Sequence, residues 1–120
     1  MAVRAIRGAI QLEVDEREHL LERTRELVRE VLRANDMSTE ALISILFTVT
    51  ADLRSEFPAL AARELGLGDV PLLCTTEIDV PGALPRVVRL MAHAELEVPR
   101  AEVRHVYLRG AETLRRDLAQ

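Results

Sequence analysis

Arginine residues inside apolar segments are the feature of this chain that most directly suggests chemistry. Arg89 lies in the middle of an apolar stretch, residues 86–96. Successive side chains of a β-strand point to opposite faces. Every second residue of this stretch is apolar and would lie on one face, with Arg89 on the other. The residues that share the face of Arg89 are then Met91, His93 and Glu95. A guanidinium cannot lose its charge, so on a half-buried sheet it requires an anion opposite it.

The same pattern recurs near both ends of the chain. Arg4 and Arg7 stand among apolar residues close to the start, and Arg104 and Arg109 stand in a similar segment close to the end. Arginine favours bidentate pairing with carboxylates and phosphates. Arginines fixed in strands, with few obvious partners in sequence, therefore predict a rigid pocket for a small polyanion. The residues alone leave open a second interpretation, in which these arginines form structural ion pairs with some of the 20 acidic residues.

Other catalytic arrangements find little support in the sequence. No glycine-rich phosphate loop follows a strand, no pair of histidines has metal-ligand spacing, and no serine lies in a nucleophile-elbow motif. Cys74 and His105 are conceivable as nucleophile and base, but a lone buried cysteine is usually inert. His93 and His105 lie within strands and are expected to be packed or hydrogen-bonded, and we predict neither a metal ion nor a cofactor. The candidates that remain are Arg7, Glu77, Arg89 and Tyr107.

Composition narrows the class of protein. The length of 120 residues is that of one domain, residues 1–120. The net charge of −4 indicates no basic stripe, so no nucleic-acid partner is expected. The longest apolar stretch, residues 41–49, is too short to cross a bilayer, and the start of the chain lacks an apolar signal core. A single cysteine fits a reducing compartment. We expect a soluble, cytoplasmic protein with no membrane contact.

Apolar periodicity predicts an α+β domain, built on a five-stranded mixed sheet with one long helix and two short ones. The predicted strands are residues 2–13, Leu42–Val49, 72–79, 86–96 and 105–108. The second strand is almost continuously apolar, which predicts burial on both of its faces. A terminal helical turn follows Gly110 and runs through Arg116.

The boundaries of the other two helices follow from capping residues. Asp15 is the expected N-cap of the long helix, because a carboxylate there accepts hydrogen bonds from the first turn. Residues 35–36 are expected to end that helix. Pro58 suits the first turn of a short helix, and Gly66 ends it.

A series of short motifs occurs along the whole chain at nearly fixed spacing. They are Arg4-Ala5-Ile6-Arg7-Gly8-Ala9, Thr50-Ala51-Asp52-Leu53, Phe57-Pro58-Ala59, Arg63-Glu64-Leu65, Pro71-Leu72-Leu73-Cys74 with Glu77 and Asp79, Arg89, and His105-Val106-Tyr107-Leu108 with Leu114-Arg115. Any one of these motifs is weak, but all of them in order are specific. Together they resemble the monofunctional chorismate mutases of the trimeric pseudo-α/β-barrel class, as opposed to the all-helical class.

The resemblance implies a function and an assembly. Members of this family convert chorismate to prephenate by a Claisen rearrangement, at the branch point toward phenylalanine and tyrosine. The reaction needs no nucleophile, acid, base or cofactor, because catalysis consists of holding a chair-like conformer and stabilising separated charge. The family assembles as a homotrimeric pseudo-α/β barrel with clefts between subunits. The alternative is a non-catalytic trimeric sensor that binds a small carboxylate metabolite in such clefts.

The resemblance also implies roles for individual residues. Arg89 would contact the ether oxygen and a nearby carboxylate, while Arg7 and Tyr107 would hold the side-chain carboxylate. Glu77 would accept from the ring hydroxyl and offset charge on the ring. The residues implied to line or close the pocket are Phe57, Ala59, Arg63, Leu72, Leu73, Cys74, Leu114 and Arg115. In the trimer, the four catalytic residues of one subunit would face Phe57, Ala59 and Leu73 of its neighbour.

The chain departs from the family pattern at two points. Leu60 stands where a lysine is expected near the mouth of the pocket, which removes part of a cationic funnel unless Arg63 supplies it. The loop at residues 66–69 is one residue shorter than expected, which bears on the assignments of Leu72 and Leu73.

Overall fold

The computed structural model describes residues 1–115 of the 120-residue chain. Over this range, a five-stranded mixed sheet carries two α-helices. The strands are β1 (Ala2–Gln11), β2 (Leu42–Val49), β3 (Leu72–Thr76), β4 (Val87–Leu96) and β5 (Val106–Leu108). The helices are α1 (Arg17–Ala34) and α2 (Pro58–Glu64). The predicted mixed sheet of five strands is confirmed.

The strand order places β4, which carries Arg89, at the centre of the sheet. The order is β3-β2-β4-β1-β5. β4 runs antiparallel to both of its neighbours, whereas each edge strand runs parallel to the strand beside it. Parallel neighbours require a crossover connection, and α2 provides it between β2 and β3.

Both helices pack against the same face of the sheet. Leu20, Leu27 and Val31 form a buried stripe along α1, at the spacing expected of an amphipathic helix. Gly8 permits the close approach of this helix to β1, because a Cβ atom there would lie 3.2 Å from Leu27 Cδ1. Within residues 1–115, no α-helix covers the opposite face, which we call the open face and which carries Arg7, Arg89, Met91 and Tyr107. None of the helices within residues 1–115 is long and apolar enough to cross a membrane.

The alternation predicted for the central strand is confirmed. Val88 and Leu90 of β4 are 0% and 4% exposed and belong to the core between sheet and helices. Arg89, Met91 and His93 alternate with them and are partly exposed. The charged side chain therefore stands on the open face of the central strand.

The start of α1 differs from the prediction. Glu16, rather than Asp15, is the N-cap, and its carboxylate accepts from two backbone N–H groups of the first turn. Asp15 instead accepts from the backbone N–H groups of Arg54 and Ser55, each at 3.1 Å. Burial acts to raise the pKa of Asp15, but hydrogen bonds from Ser55 and Arg54 outweigh it, and the pKa lies below its usual value. Which of the two adjacent carboxylates caps α1 therefore depends on the loop that carries Arg54 and Ser55.

Several predicted elements are shorter in the structure. β1 ends at Gln11. β3 ends at Thr76, because the chain that follows it enters a tight turn in which Val80 N–H donates to Ile78 O at 3.0 Å. The terminal helical turn is a 3₁₀ turn at Ala111–Thr113, so the described residues hold two α-helices rather than three. The predicted end of that turn, Arg116, lies outside the described residues. Further 3₁₀ turns occupy Thr39–Ala41 and Arg100–Glu102.

β2 is buried on one face only, so the prediction of two-sided burial is wrong for this chain. Ile45 and Phe47 are 3% and 0% exposed. Leu46 and Thr48 lie on the open face and are half-buried. The apolar run gave a misleading pattern because its second face forms the wall of a cavity rather than a packed layer.

Asn35 joins the end of α1 to the segment that precedes β5. It is the C-cap of α1, at the predicted position. Its Nδ2 group donates to Val31 O and to Arg104 O, and its Oδ1 atom accepts from Arg104 N, all at 2.9 Å. One side-chain amide therefore satisfies three backbone groups and fixes the entry into β5.

Replacing Asn35 with alanine should lower the free energy of unfolding by about 1–3 kcal/mol, because both backbone groups of Arg104 lose their side-chain partner. Asn35→Asp keeps the acceptor atom but places a carboxylate oxygen against the carbonyl oxygens of Val31 and Arg104, so it should be at least as destabilising as the alanine variant. Chemical denaturation of both variants and the parent measures the difference. An alanine variant as stable as the parent would contradict the anchoring role.

Candidate active site

A cavity of about 310 Å³ lies on the open face of the sheet. It is lined by Arg7, Gly8, Leu46, Thr48, Glu77, Arg89, Leu90, Met91, Tyr107 and Arg115. The structure therefore brings together all four residues predicted to be catalytic, and one of those predicted to bind substrate. We call this site the arginine cavity.

Neighbouring strands bring these side chains together. Arg89 on β4 lies opposite Thr48 of β2 and opposite Ala9 of β1. Tyr107 of β5 pairs with Ala9 from the other side. Glu77 follows the end of β3, where its N–H still donates to a carbonyl of β2 at 2.8 Å. The register of the sheet thus determines the order of the polar groups across the cavity.

Arg89 and Glu77 form an ion pair within this cavity. Arg89 Nε lies 3.1 Å from Glu77 Oε1, and Thr48 Oγ1 donates to the same oxygen. The N–H of Arg89 Nε is not directed at that carboxylate, so this buried group has no hydrogen-bond acceptor among residues 1–115. A buried donor without an acceptor costs about 1–3 kcal/mol. Such a group is typical of a site that receives its acceptor from a ligand.

The wall of the arginine cavity carries an excess of positive charge. Three guanidinium groups, those of Arg7, Arg89 and Arg115, stand with one carboxylate, that of Glu77, which gives a formal net charge of +2. Guanidinium groups match carboxylates geometrically through paired N–H donors. The cavity therefore suits a small dianion.

Packing and hydrogen bonding hold Tyr107 and Arg7 in different ways. Tyr107 is only 6% exposed and belongs to a small apolar cluster on the open face. The buried members of that cluster are Ala9, Val87, Tyr107 and Ala111. Arg7 is held through its backbone, whose N–H donates to Nδ1 of His105 at 2.9 Å. The strand position of Arg7 thus depends on a side chain from the far end of the sequence.

His105 is neutral in this arrangement. Its Nδ1 atom accepts a hydrogen bond, so the ring proton lies on Nε2. Burial, followed by the charges of Arg7 and Arg115, lowers the pKa of His105 below its ordinary value of 6.5. The prediction that this histidine is hydrogen-bonded is confirmed.

Other residues predicted to line the pocket lie outside the arginine cavity. Phe57 and Cys74 line a second cleft of about 330 Å³. Leu72 and Leu73 line a third, of about 270 Å³. The side chains of Phe57 and Leu73 are unusually exposed for their size, at 68% and 65%. Cys74 does not share a cavity with Glu77, although the two are close in sequence.

Three more predicted residues have distinct environments. Ala59 of α2 is 3% exposed and packs into the core, and it lines none of the three cavities described above. Arg63 is exposed in the last turn of α2. Leu114 is half-buried against the apolar cluster that holds Tyr107.

The structure also separates the residues of the rejected covalent mechanism. Cys74 lines the cleft with Phe57, whereas His105 lines a cavity with Arg7 on the open face. The two therefore do not form a nucleophile and base. Within residues 1–115, no group of three or more histidine, cysteine, aspartate or glutamate side chains could hold a metal ion.

Sequence reasoning missed several residues of the arginine cavity. Thr48, Leu46 and Met91 all line it. Thr48 gave a usable signal, because it is a polar residue that interrupts the apolar run of β2. Leu46 and Met91 gave none, since an apolar residue in a strand is more often part of a core.

Comparison with known proteins gives consistent similarities along the chain. A sequence model of the family described as "Chorismate mutase type I" matches residues 3–118. Chorismate mutase AroH of Thermus thermophilus is 52% identical over 117 residues, which cover 97% of this chain and 96% of that protein. Chorismate mutase AroH of Bacillus subtilis (strain 168) is 39% identical over 120 residues, covering 99% and 94%. The solved structure of a chorismate mutase from Clostridium thermocellum has a TM-score of 0.89 at 39% identity, covering 91% of this chain and 97% of that one.

These similarities agree with the sheet topology and the arginine cavity, and they define the class of protein as an isomerase of the chorismate mutase kind. The chain belongs to the chorismate mutase type I family. None of these relatives supports the alternative of a non-catalytic sensor.

Proposed function

We propose that residues 1–120 form a single chorismate mutase domain, which assembles as a homotrimer and converts chorismate to prephenate in clefts between subunits. The observation that carries this proposal is the Arg89–Glu77 pair, in which opposite charges lie 3.1 Å apart in a cavity with a cationic wall. A rearrangement that separates charge within a dianion needs groups of both signs at fixed positions. The single cysteine supports a cytoplasmic location.

Arg89 is the group that stabilises negative charge in the transition state. Bond breaking precedes bond making in this reaction, so negative charge develops on the ether oxygen of the substrate. The Nε–H of Arg89 is buried and has no acceptor among residues 1–115, which supports this assignment. A fixed donor whose hydrogen bond strengthens as charge develops lowers the barrier, because it binds the transition state better than the substrate.

Glu77 offsets the positive charge that develops on the ring. Thr48 and Arg89 both lie against its Oε1 atom and orient the carboxylate. We assign its Oε2 atom to the ring hydroxyl, as an acceptor. Arg7, Tyr107 and Arg115 then hold the substrate carboxylates, so that the flexible dianion is kept in a chair-like conformer.

Residues of a second subunit complete the pocket. Phe57 and Leu73 expose 68% and 65% of their surface, and Ile78 exposes 85%. Leu73 lies in the edge strand β3, Ile78 follows that strand, and Phe57 lines a cleft with Cys74 of β3. Exposed apolar side chains of this size at an edge of the sheet are typical of a surface that another protein covers. In a cyclic trimer, each subunit offers its arginine cavity to one neighbour and the edge with Phe57 and Leu73 to the other. Leu72, Cys74 and Arg63 belong to that second edge, with Leu60 beside them in place of a lysine.

The burial of Ala59 refines its proposed role. Because its side chain packs inside its own subunit, any contact with substrate across the interface must come from the backbone. Leu114 acts in the same subunit as Tyr107, by supporting the apolar cluster behind that ring.

Incubation of the purified protein with chorismate tests the proposed function. Chorismate should disappear at catalytic protein concentrations, as followed by its ultraviolet absorbance, and prephenate should form in equal amount. The reaction should proceed without added cofactor and in the presence of a chelator. A protein that binds chorismate, as measured by calorimetry, but leaves it unconverted would be a sensor and would contradict the proposal.

A further inference from the structure

We propose that His105 is a positioning residue of this active site, which fixes Arg7 through the backbone of β1 and so controls the binding of a substrate carboxylate. This role rests on the proposed function. It concerns a residue that does not line the arginine cavity, and whose part in the reaction would be indirect.

The hydrogen bond from Arg7 to His105 lies where a ladder bond would otherwise be missing. The main-chain pairing of β1 with β5 covers Gly8, Ala9 and Ile10 only. The N–H of Arg7 precedes this ladder by one residue, and the imidazole of His105 accepts from it at 2.9 Å in place of a carbonyl. Without that acceptor, the N–H of Arg7, on the side of β1 that faces β5, would have no partner, while the other side of β1 would stay paired with β4.

Arg7 lies between two cavities, so a small displacement of its backbone would move its guanidinium from one cavity toward the other. Its side chain lines the arginine cavity, and it also lines an adjacent cavity of about 780 Å³ that contains His105. Met91 is shared by the two cavities in the same way. Arg7 and Met91 therefore form the partition between these two spaces. A shift of the Arg7 backbone toward the larger cavity would withdraw its guanidinium from the substrate.

The backbone next to His105 is also fixed by hydrogen bonds. The side-chain amide of Asn35 binds both backbone groups of Arg104, at 2.9 Å each. The residue immediately before the imidazole is therefore anchored to the C-terminus of α1. Hydrogen bonds thus link the end of α1 to Arg104, and the next residue along the chain, His105, is hydrogen-bonded to Arg7.

The charges around His105 make this contact sensitive to acid. The titratable and charged groups that face it are Arg4 and Arg7 on β1, His93 on β4, Arg100 in the 3₁₀ turn, and Arg115 near the end of the described chain. No carboxylate lines the cavity among residues 1–115. A proton on Nδ1 would abolish the acceptor and add a cation beside Arg7.

The direction of the pH effect follows from this environment. Burial and the nearby arginines keep the pKa of His105 below 6.5. The neutral, accepting ring therefore predominates at neutral pH and is lost as the pH falls through the lowered value. Because Arg7 binds a carboxylate in the substrate and in the transition state alike, its displacement should raise KM and leave kcat almost unchanged.

The test compares His105→Asn with His105→Leu. Asparagine places an acceptor oxygen near the position of Nδ1, does not titrate, and is the rescuing variant, whereas leucine has no acceptor. The leucine variant should show a KM for chorismate raised about tenfold, the equivalent of one lost hydrogen bond, with kcat close to that of the parent. The asparagine variant should keep the parental KM at neutral pH. Between about pH 8 and pH 5, KM should rise toward acid in the parent but not in the asparagine variant.

Hydrogen exchange at the Arg7 amide gives a readout that does not depend on activity. The amide should be protected in the parent and in His105→Asn, and should exchange faster in His105→Leu. Equal protection and equal KM in the two variants would overturn the positioning role. A parent that fails to convert chorismate but shows this exchange pattern would instead contradict the proposed function, while leaving the contact intact.

Discussion

Replacing Arg89 with alanine should reduce turnover of chorismate by at least ~10²–10³-fold, the usual cost of removing one preorganised donor to a developing oxyanion. The buried Nε–H beside Glu77 is the donor that this substitution removes. Arg89→Lys retains the charge but loses the planar fork, so turnover should again fall strongly. Steady-state kinetics on the three proteins measures both effects.

The loss of Arg89 should lower the stability of the protein much less than it lowers turnover. Its side chain is 42% exposed and that of Glu77 is 26% exposed, so solvent screens much of the pair and its contribution to stability is small. Arg29→Ala is the matched control, because Arg29 is exposed on α1, away from the open face. Parental turnover in a folded Arg89→Ala protein would refute the proposed mechanism.

Replacing Leu73 with glutamate should sharply reduce activity, although Leu73 does not line the arginine cavity. In the proposed trimer, the new carboxylate would lie in the cleft of the neighbouring subunit, against a dianionic substrate. Two like charges about 4 Å apart repel by ~1–4 kcal/mol at the dielectric of water or a protein surface. Every 1.4 kcal/mol is about a tenfold change, so kcat/KM should fall by roughly fivefold to almost a thousandfold.

Leu73→Gln is the matched control for this prediction. Glutamine has the same shape and polarity as glutamate without its charge, so it separates repulsion from the loss of an apolar contact. Leu73 is 65% exposed within one chain, which means that neither substitution should disturb the fold of the subunit. Equal activity of the glutamate and glutamine variants would show that no substrate carboxylate lies near this position.

The sequence predicted best those features that depend on local periodicity. Alternation in β4 correctly separated Arg89 from the core, and the apolar spacing of α1 gave the long helix. Features that depend on distant contacts were predicted less well. The cap of α1 fell on Glu16 because the loop at Arg54 and Ser55 captures Asp15.

The same division applies to the candidate site. Motif spacing predicted Arg7, Glu77, Arg89 and Tyr107, which the structure places in one cavity. The contact between Arg7 and His105 joins residues 98 apart in sequence, and only the parallel pairing of β1 with β5 brings them together. Phe57 and Leu73 lie outside the cavity within one subunit, and in the proposed trimer they would face the cavity of a neighbour.

Refolding a mixture of the Arg89→Ala and Leu73→Glu variants tests most directly the claim that two subunits share each active site. Each variant alone should be strongly impaired. In a head-to-tail ring that contains both variants, about one cleft in three combines an intact Arg89 from one subunit with an intact Leu73 from its neighbour. Activity should therefore recover to about a third of the parental value in proteins whose mass confirms mixed trimers, and to about a quarter in the unfractionated mixture of equal amounts. Mixed trimers that remain as inactive as the separate variants would contradict the shared site and would place the whole pocket within one subunit.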